Sequence, residues 1–115
     1  MSDQISLAGL LAAAPATPPE VYAVFCGNLD QASVGRIMLG VTTAIANRVP
    51  RLHLLFQSSG GLVGDGVCLY SFFRGLPLPL TIYNVGSVSS IAALAYLGAE
   101  ERKVSAHATF MLHRT

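Results

Sequence analysis

The sequence predicts an α/β domain built on a mainly parallel sheet in which strands and helices alternate. Three observations carry that expectation. Short runs rich in β-branched and aromatic residues recur along the chain, segments with apolar residues at helical spacing lie between them, and the links are short and marked by Gly, Pro or Asn. At 115 residues the chain suffices for one domain.

Residues 1–19 read as a flexible arm rich in Ala, Pro and Thr, and 20–115 as the folded domain. Ile5 to Ala14 has the length of a signal-peptide apolar core, but Met1-Ser2-Asp3-Gln4 before it carries no Lys or Arg, so the arm is the preferred reading. After Pro18-Pro19, Val21 to Cys26 is expected as a buried strand ended by Gly27-Asn28. A helix should follow from Leu29 to Asn47, with Val34, Ile37, Met38, Val41 and Ile45 on its apolar face, Asn28 as N-cap and Pro50 as stop. Leu52 to Phe56 is a second strand, and Val63 to Phe73 a second helix beyond a glycine pair. Gly75, Pro77 and Pro79 break the chain before a third strand, Leu80 to Val85. Ser89 to Leu97 is the third helix. Lys103-Val104-Ser105 and Thr109 to Leu112 read as two further strands about an Ala106-His107-Ala108 turn, with Glu100 to Lys103 as a solvated charged turn.

Of the residues, 52% are hydrophobic and 11% charged, against the ~25% charged usual in soluble domains. That surplus of apolar side chains points to subunit interfaces. A net charge of +1 with scattered basic residues gives no support for nucleic-acid binding. No run reaches the ~18 apolar residues of a membrane span. Cys26 and Cys68 fit no metal or redox spacing and are expected as buried free thiols, in keeping with a reducing compartment.

Chemistry enters through three segments. Ser58-Ser59-Gly60-Gly61 follows a strand, and its glycines allow backbone N–H groups to approach a ligand closely. Gly86-Ser87-Val88-Ser89-Ser90-Ile91-Ala92-Ala93 delivers Ser90 onto a helix start with small neighbours, where the N–H of Ile91 could stabilise an oxyanion. Met111-Leu112-His113 places a base at a strand end. Singly, each has a plainer reading: a serine there is often an N-cap, a Gly-Gly pair a turn, and a histidine structural. His53 and His107 are assigned no catalytic role.

In combination and order, these segments resemble the proteolytic subunit of the Clp protease (ClpP), a serine peptidase of crotonase-like fold, over Val21 to Arg114. Gln57-Ser58-Ser59-Gly60-Gly61 is similar to the family's Asn-Ser-Pro-Gly-Gly turn. Gly86 to Ala93 matches its Gly-x-Ala-Ala-Ser-Met-Gly/Ala-Ala segment, and Met111 to Thr115 its Met-Ile-His-Gln-Pro. Phe25 to Asp30 resembles the family's opening strand and turn. The resemblance implies Ser90 as nucleophile, His113 as general base, and the N–H groups of Gly61 and Ile91 as oxyanion hole, with Ser89 as fallback nucleophile. It also implies a homo-oligomeric, heptameric ring in the cytoplasm that works with an AAA+ unfoldase in ATP-dependent proteolysis of unfolded proteins or peptides. By the same resemblance the subunit itself would need no metal or cofactor.

Ser59, Ala92 and Arg114-Thr115 depart from the pattern, and the family's triad aspartate and helical handle lie beyond its histidine. The chain is therefore expected to be a divergent or C-terminally truncated member lacking the handle region. Asp30 and Asp65 fall where the motif uses no acid, and Asp65 is expected to face solvent or cap the second helix. An unoriented His113 can adopt the wrong tautomer, which in triad enzymes costs on the order of 10⁴ in rate. The alternative is a non-catalytic ClpP-like assembly subunit. An acyl-CoA enzyme would need carboxylates near the glycines, where Asp65 is the one candidate, and a lysine-base peptidase would have to use Lys103; both rank lower.

Overall fold

The structure, a computed structural model, describes residues 18–112. Its elements are β1 (Val21–Cys26), α1 (Gln31–Ala46), β2 (Leu52–Ser58), α2 (Val63–Arg74), β3 (Leu80–Ser89), α3 (Ile91–Tyr96), β4 (Glu101–Val104) and β5 (Thr109–Met111). The expected arm lies outside the described residues apart from Pro18 and Pro19.

All strand pairs are parallel, in the order β1-β2-β3-β4, with β5 also on β3. Strict alternation along β2 turns Leu52, Leu54 and Phe56 to one face and His53, Leu55 and Gln57 to the other. The first set joins Leu80, Ile82 and Val88 of β3, Val34, Ile37 and Val41 of α1, Leu69 and Phe73 of α2, and Ala92 and Ala95 of α3 in one core. Burying each such Leu, Ile, Val or Phe contributes about 1.5–3 kcal/mol. Arg102 donates to the carbonyls of Leu97 and Ala99 just past α3, and the Tyr96 hydroxyl donates to the Lys103 carbonyl at 2.8 Å. The helix end is thereby fastened to β4.

Strand β3 organises the carboxyl end of the sheet. Its first half, Thr81 to Asn84, pairs with β4, and its second half, Ser87 to Ser89, pairs with β5 along the same edge. On the other side its pairing with β2 is interrupted between Phe56 and Ser58.

Several expectations are corrected. β1 is a strand but not a buried one: it lies at the sheet edge, and Val24 is 73% exposed. Asn28 does not cap α1. Leu29 is buried in a parallel bridge to Gly61, so the helix starts later, and Asp30 caps it. The Asp30 carboxylate accepts from the Ser33 amide while the Ser33 hydroxyl accepts from the Asp30 amide, a reciprocal pair that satisfies two orphan donors. β3 runs on to Ser89, and Glu101 to Lys103 belong to a strand rather than a turn. Cys26 and Cys68 are free but exposed.

The apolar surplus is visible at Leu39, Leu62, Val63 and Met111, each at least 60% exposed. No helix among the described residues is long and apolar enough to cross a membrane.

Candidate active site

The glycine turn after β2 and the serine turn after β3 meet at the carboxyl end of the sheet. Gly60 has φ +103°, a conformation that L side chains rarely adopt, and a Cβ there would lie 2.9 Å from Ser90 Cβ and 3.3 Å from Ser90 Oγ. The Gly60 amide donates to the buried Ser58 hydroxyl, and its carbonyl accepts from the Leu29 amide at 2.7 Å. Leu62 N–H donates in turn to the Leu29 carbonyl. A parallel bridge of this kind uses the groups on either side of Gly61 and turns the Gly61 amide away from Leu29. Gly61 approaches Leu29 so closely that any Cβ would collide with its carbonyl.

Ser90 occupies the corner between β3 and α3 at φ 57°, ψ −134°, well outside the regions open to ordinary L-residues. Its side chain makes no capping bond to α3, so the simple N-cap reading does not describe it. A strained serine at a strand-to-helix corner, its hydroxyl bonded to none of the described residues, has the backbone character of a nucleophile elbow. Its strain costs of order 1–3 kcal/mol, which the packing of β3, β5 and Gly60 must over-determine. Ile91 begins α3, so its amide is among those left without an intrahelical acceptor. Ser89, the fallback, is the last residue of β3, and its hydroxyl lies 3.2 Å from that of Ser87.

The Ser90 amide donates to the Met111 carbonyl at 2.7 Å. That bond ties the corner to β5, two residues before His113. His113 itself lies outside the described residues.

A family model for the Clp protease matches residues 24–115. The chain belongs to the Clp protease family. Among solved structures, a variant of ClpP1 from Listeria monocytogenes aligns with TM-score 0.76 at 18% identity, covering 82% of this chain and 56% of that one. The ClpP catalytic domain from Plasmodium falciparum gives 0.76 at 13%, covering 84% and 55%. A variant of the membrane-bound stomatin-specific protease 1510-N gives 0.73 at 14%, covering 78% and 45%. The chain therefore has a ClpP-like fold and spans about half the length of these structures. No curated protein matches it by sequence.

The remaining candidates of this Clp-family chain have other work. Asp30 is spent as the α1 cap, and the Ser33 amide, followed by the Ser33 hydroxyl, holds its carboxyl below the ordinary aspartate value. Asp65 sits in the first turn of α2, where its charge suits the helix dipole, but the cap position belongs to Leu62 and carries no side-chain bond. His53 is buried on the sheet face away from the core, with Nε2 2.6 Å from Glu20 and Nδ1 2.9 Å from the Tyr83 hydroxyl. It stacks on Tyr22 with ring centroids 4.2 Å apart. His107 is an exposed turn residue. Lys103 is exposed, 3.8 Å from Glu101, and its ammonium lies 5.8 Å from the centre of the Tyr83 ring. Among the described residues no cluster of His, Cys, Asp and Glu could hold a metal.

Asn84 is a positioning residue that strand composition does not single out. Fully buried in β3, it donates from Nδ2 to the Thr109 carbonyl at 2.8 Å and accepts the Gly86 amide at 3.1 Å. It fixes β5 against β3 where β4 gives way, and so positions Met111 for Ser90. The signal was present, as one amide within the otherwise strand-forming Leu80–Val85 run.

Proposed function

We propose that this chain is a subunit of a ClpP-like serine peptidase. The observation that carries the reading is Ser90: a strained, uncapped serine at a strand-to-helix corner, packed on Gly60 and bonded to β5. The Ser90 hydroxyl gives its proton to His113 as Oγ attacks the scissile carbonyl. The oxyanion is stabilised by the N–H groups of Gly61 and Ile91, each such donor being worth roughly 10²–10³ in rate. The C–N bond then breaks as His113 passes the proton to the leaving amine, leaving an acyl ester on Ser90. Water attacks the ester with His113 again as base, which restores the hydroxyl.

The exposed apolar side chains support an oligomer, read from the family as a homo-oligomeric, heptameric ring in the cytoplasm. An AAA+ unfoldase would deliver unfolded proteins or peptides to it. A second reading, a non-catalytic assembly subunit, is favoured by the commitment of Asp30 to the α1 cap, which leaves His113 without that acid to orient it.

Intact mass after fluorophosphonate treatment tests the proposal. An adduct is expected on the native protein and on Ser89→Ala, and none on Ser90→Ala. Failure of all three to label would favour the assembly subunit.

A further inference from the structure

A crevice of about 270 Å³ lies at the carboxyl ends of β1, β2 and β3, lined among others by Cys26, Asn28, Gln57, Ser58, Ser59 and Ser87. Ligands of open parallel sheets bind outside this end of the strands. The crevice also adjoins the reacting corner, since Ser59 precedes Gly60, which packs on Ser90, and Ser87 approaches Ser89.

Its polar groups are only partly committed. Asn28 Oδ1 accepts from the Ser59 hydroxyl at 2.6 Å, and no described residue accepts from its Nδ2. Gln57 Nε2 lies 3.5 Å from Cys26 Sγ, a weak acceptor. Gln57 Oε1 lies over Gly86, where any Cβ would collide with it, so the bare backbone of β3 seats the carboxamide. Among the described residues no charged side chain lines the crevice.

The geometry points to a specificity subsite for an uncharged side chain bearing a carbonyl acceptor, the Asn or Gln of a peptide, next to the scissile bond. This rests on the peptidase reading. Against the described lining a carboxylate would lose water and gain no cation, and a Lys or Arg would gain no anion. A leucine would displace water from Asn28 Nδ2 and from the second Gln57 Nε2 hydrogen without offering an acceptor, and polar sites reject apolar analogues more strongly than apolar pockets reject small changes in size.

The test compares kcat/KM for fluorogenic peptides that differ only in Gln, Leu, Glu or Lys beside the scissile bond. A preference for Gln of about tenfold or more over each of the others is expected. Gln57→Leu should bring the Gln-to-Leu ratio to one or below, and an unchanged ratio would overturn the inference. A second arm does not depend on turnover. The ¹⁵N-labelled protein is titrated with N-acetylglutamine methylamide and, separately, with N-acetylleucine methylamide. Shifts at Asn28, Gln57, Ser59 and Ser87 with the glutamine compound alone support the subsite; equal shifts with both, or none with glutamine, remove it. Absence of turnover and of phosphonate labelling would count against the peptidase reading, while the titration still decides the subsite.

Discussion

His53 on β2 and Ser90 just past the end of β3 are both polar residues, and their surroundings are opposite. Around His53 each polar atom is spent: one ring nitrogen faces Glu20, the other faces Tyr83, and the ring lies on Tyr22. At Ser90 the backbone is strained, the hydroxyl caps nothing, and the neighbouring Ile91 amide has no intrahelical acceptor. A polar group that is fully partnered stabilises the fold. One that no described residue partners, at a strained corner, is available to a ligand, and the cost of the strain is borne by the packing around it.

The largest effect on this contrast should come from Asn84→Leu, which leaves the Thr109 carbonyl and the Gly86 amide without their partner. The loss of stability should be about 2–4 kcal/mol in urea denaturation, and phosphonate labelling of Ser90 should slow as β5 loosens. A loss below ~1 kcal/mol would show that β5 is held by its backbone ladder alone.

His53→Phe tests the other side. Glu20 and the Tyr83 hydroxyl can turn to water, and a phenyl ring keeps the stack on Tyr22, so the cost should be about 1 kcal/mol. Labelling of Ser90 should be unchanged; a large drop would give His53 a part in the site that its surroundings do not indicate.

Ser90→Gly removes both the hydroxyl and the strain. It should be unreactive, yet more stable than Ser90→Ala by about 1 kcal/mol in thermal melts, because glycine accepts φ 57°. Equal melting temperatures would mean that the corner stores no strain.

The smallest effect concerns Asp30. Its carboxyl is held below the ordinary value of 3.8 in the folded chain, so its contribution is complete above that value and fades as pH falls through the lower folded value. Asp30→Asn should flatten the acid limb of the stability curve between about pH 5 and 2. An identical limb in both proteins would place the acid sensitivity elsewhere.

The sequence by itself determined the strand–helix alternation and the order of the motifs, because periodicity, Gly/Pro punctuation and turn composition are local properties. Leu52 to Phe56 and Val63 to Phe73 lie within β2 and α2 for that reason. Other features were decided only by partners distant in the chain. β1 reads as a buried strand by composition, but only the strand order shows that among the described residues it has a neighbour on one side. Asn28 is as good a cap as Asp30 until Leu29 bridges to Gly61 and moves the helix start. β3 outruns its apolar segment because β5 pairs with Ser87 to Ser89, and that pairing carries Ser90 past the strand end into its corner. The serine was legible as a residue; its strain, its failure to cap α3 and the role of Asn84 arise from contacts that form only when the chain closes on itself.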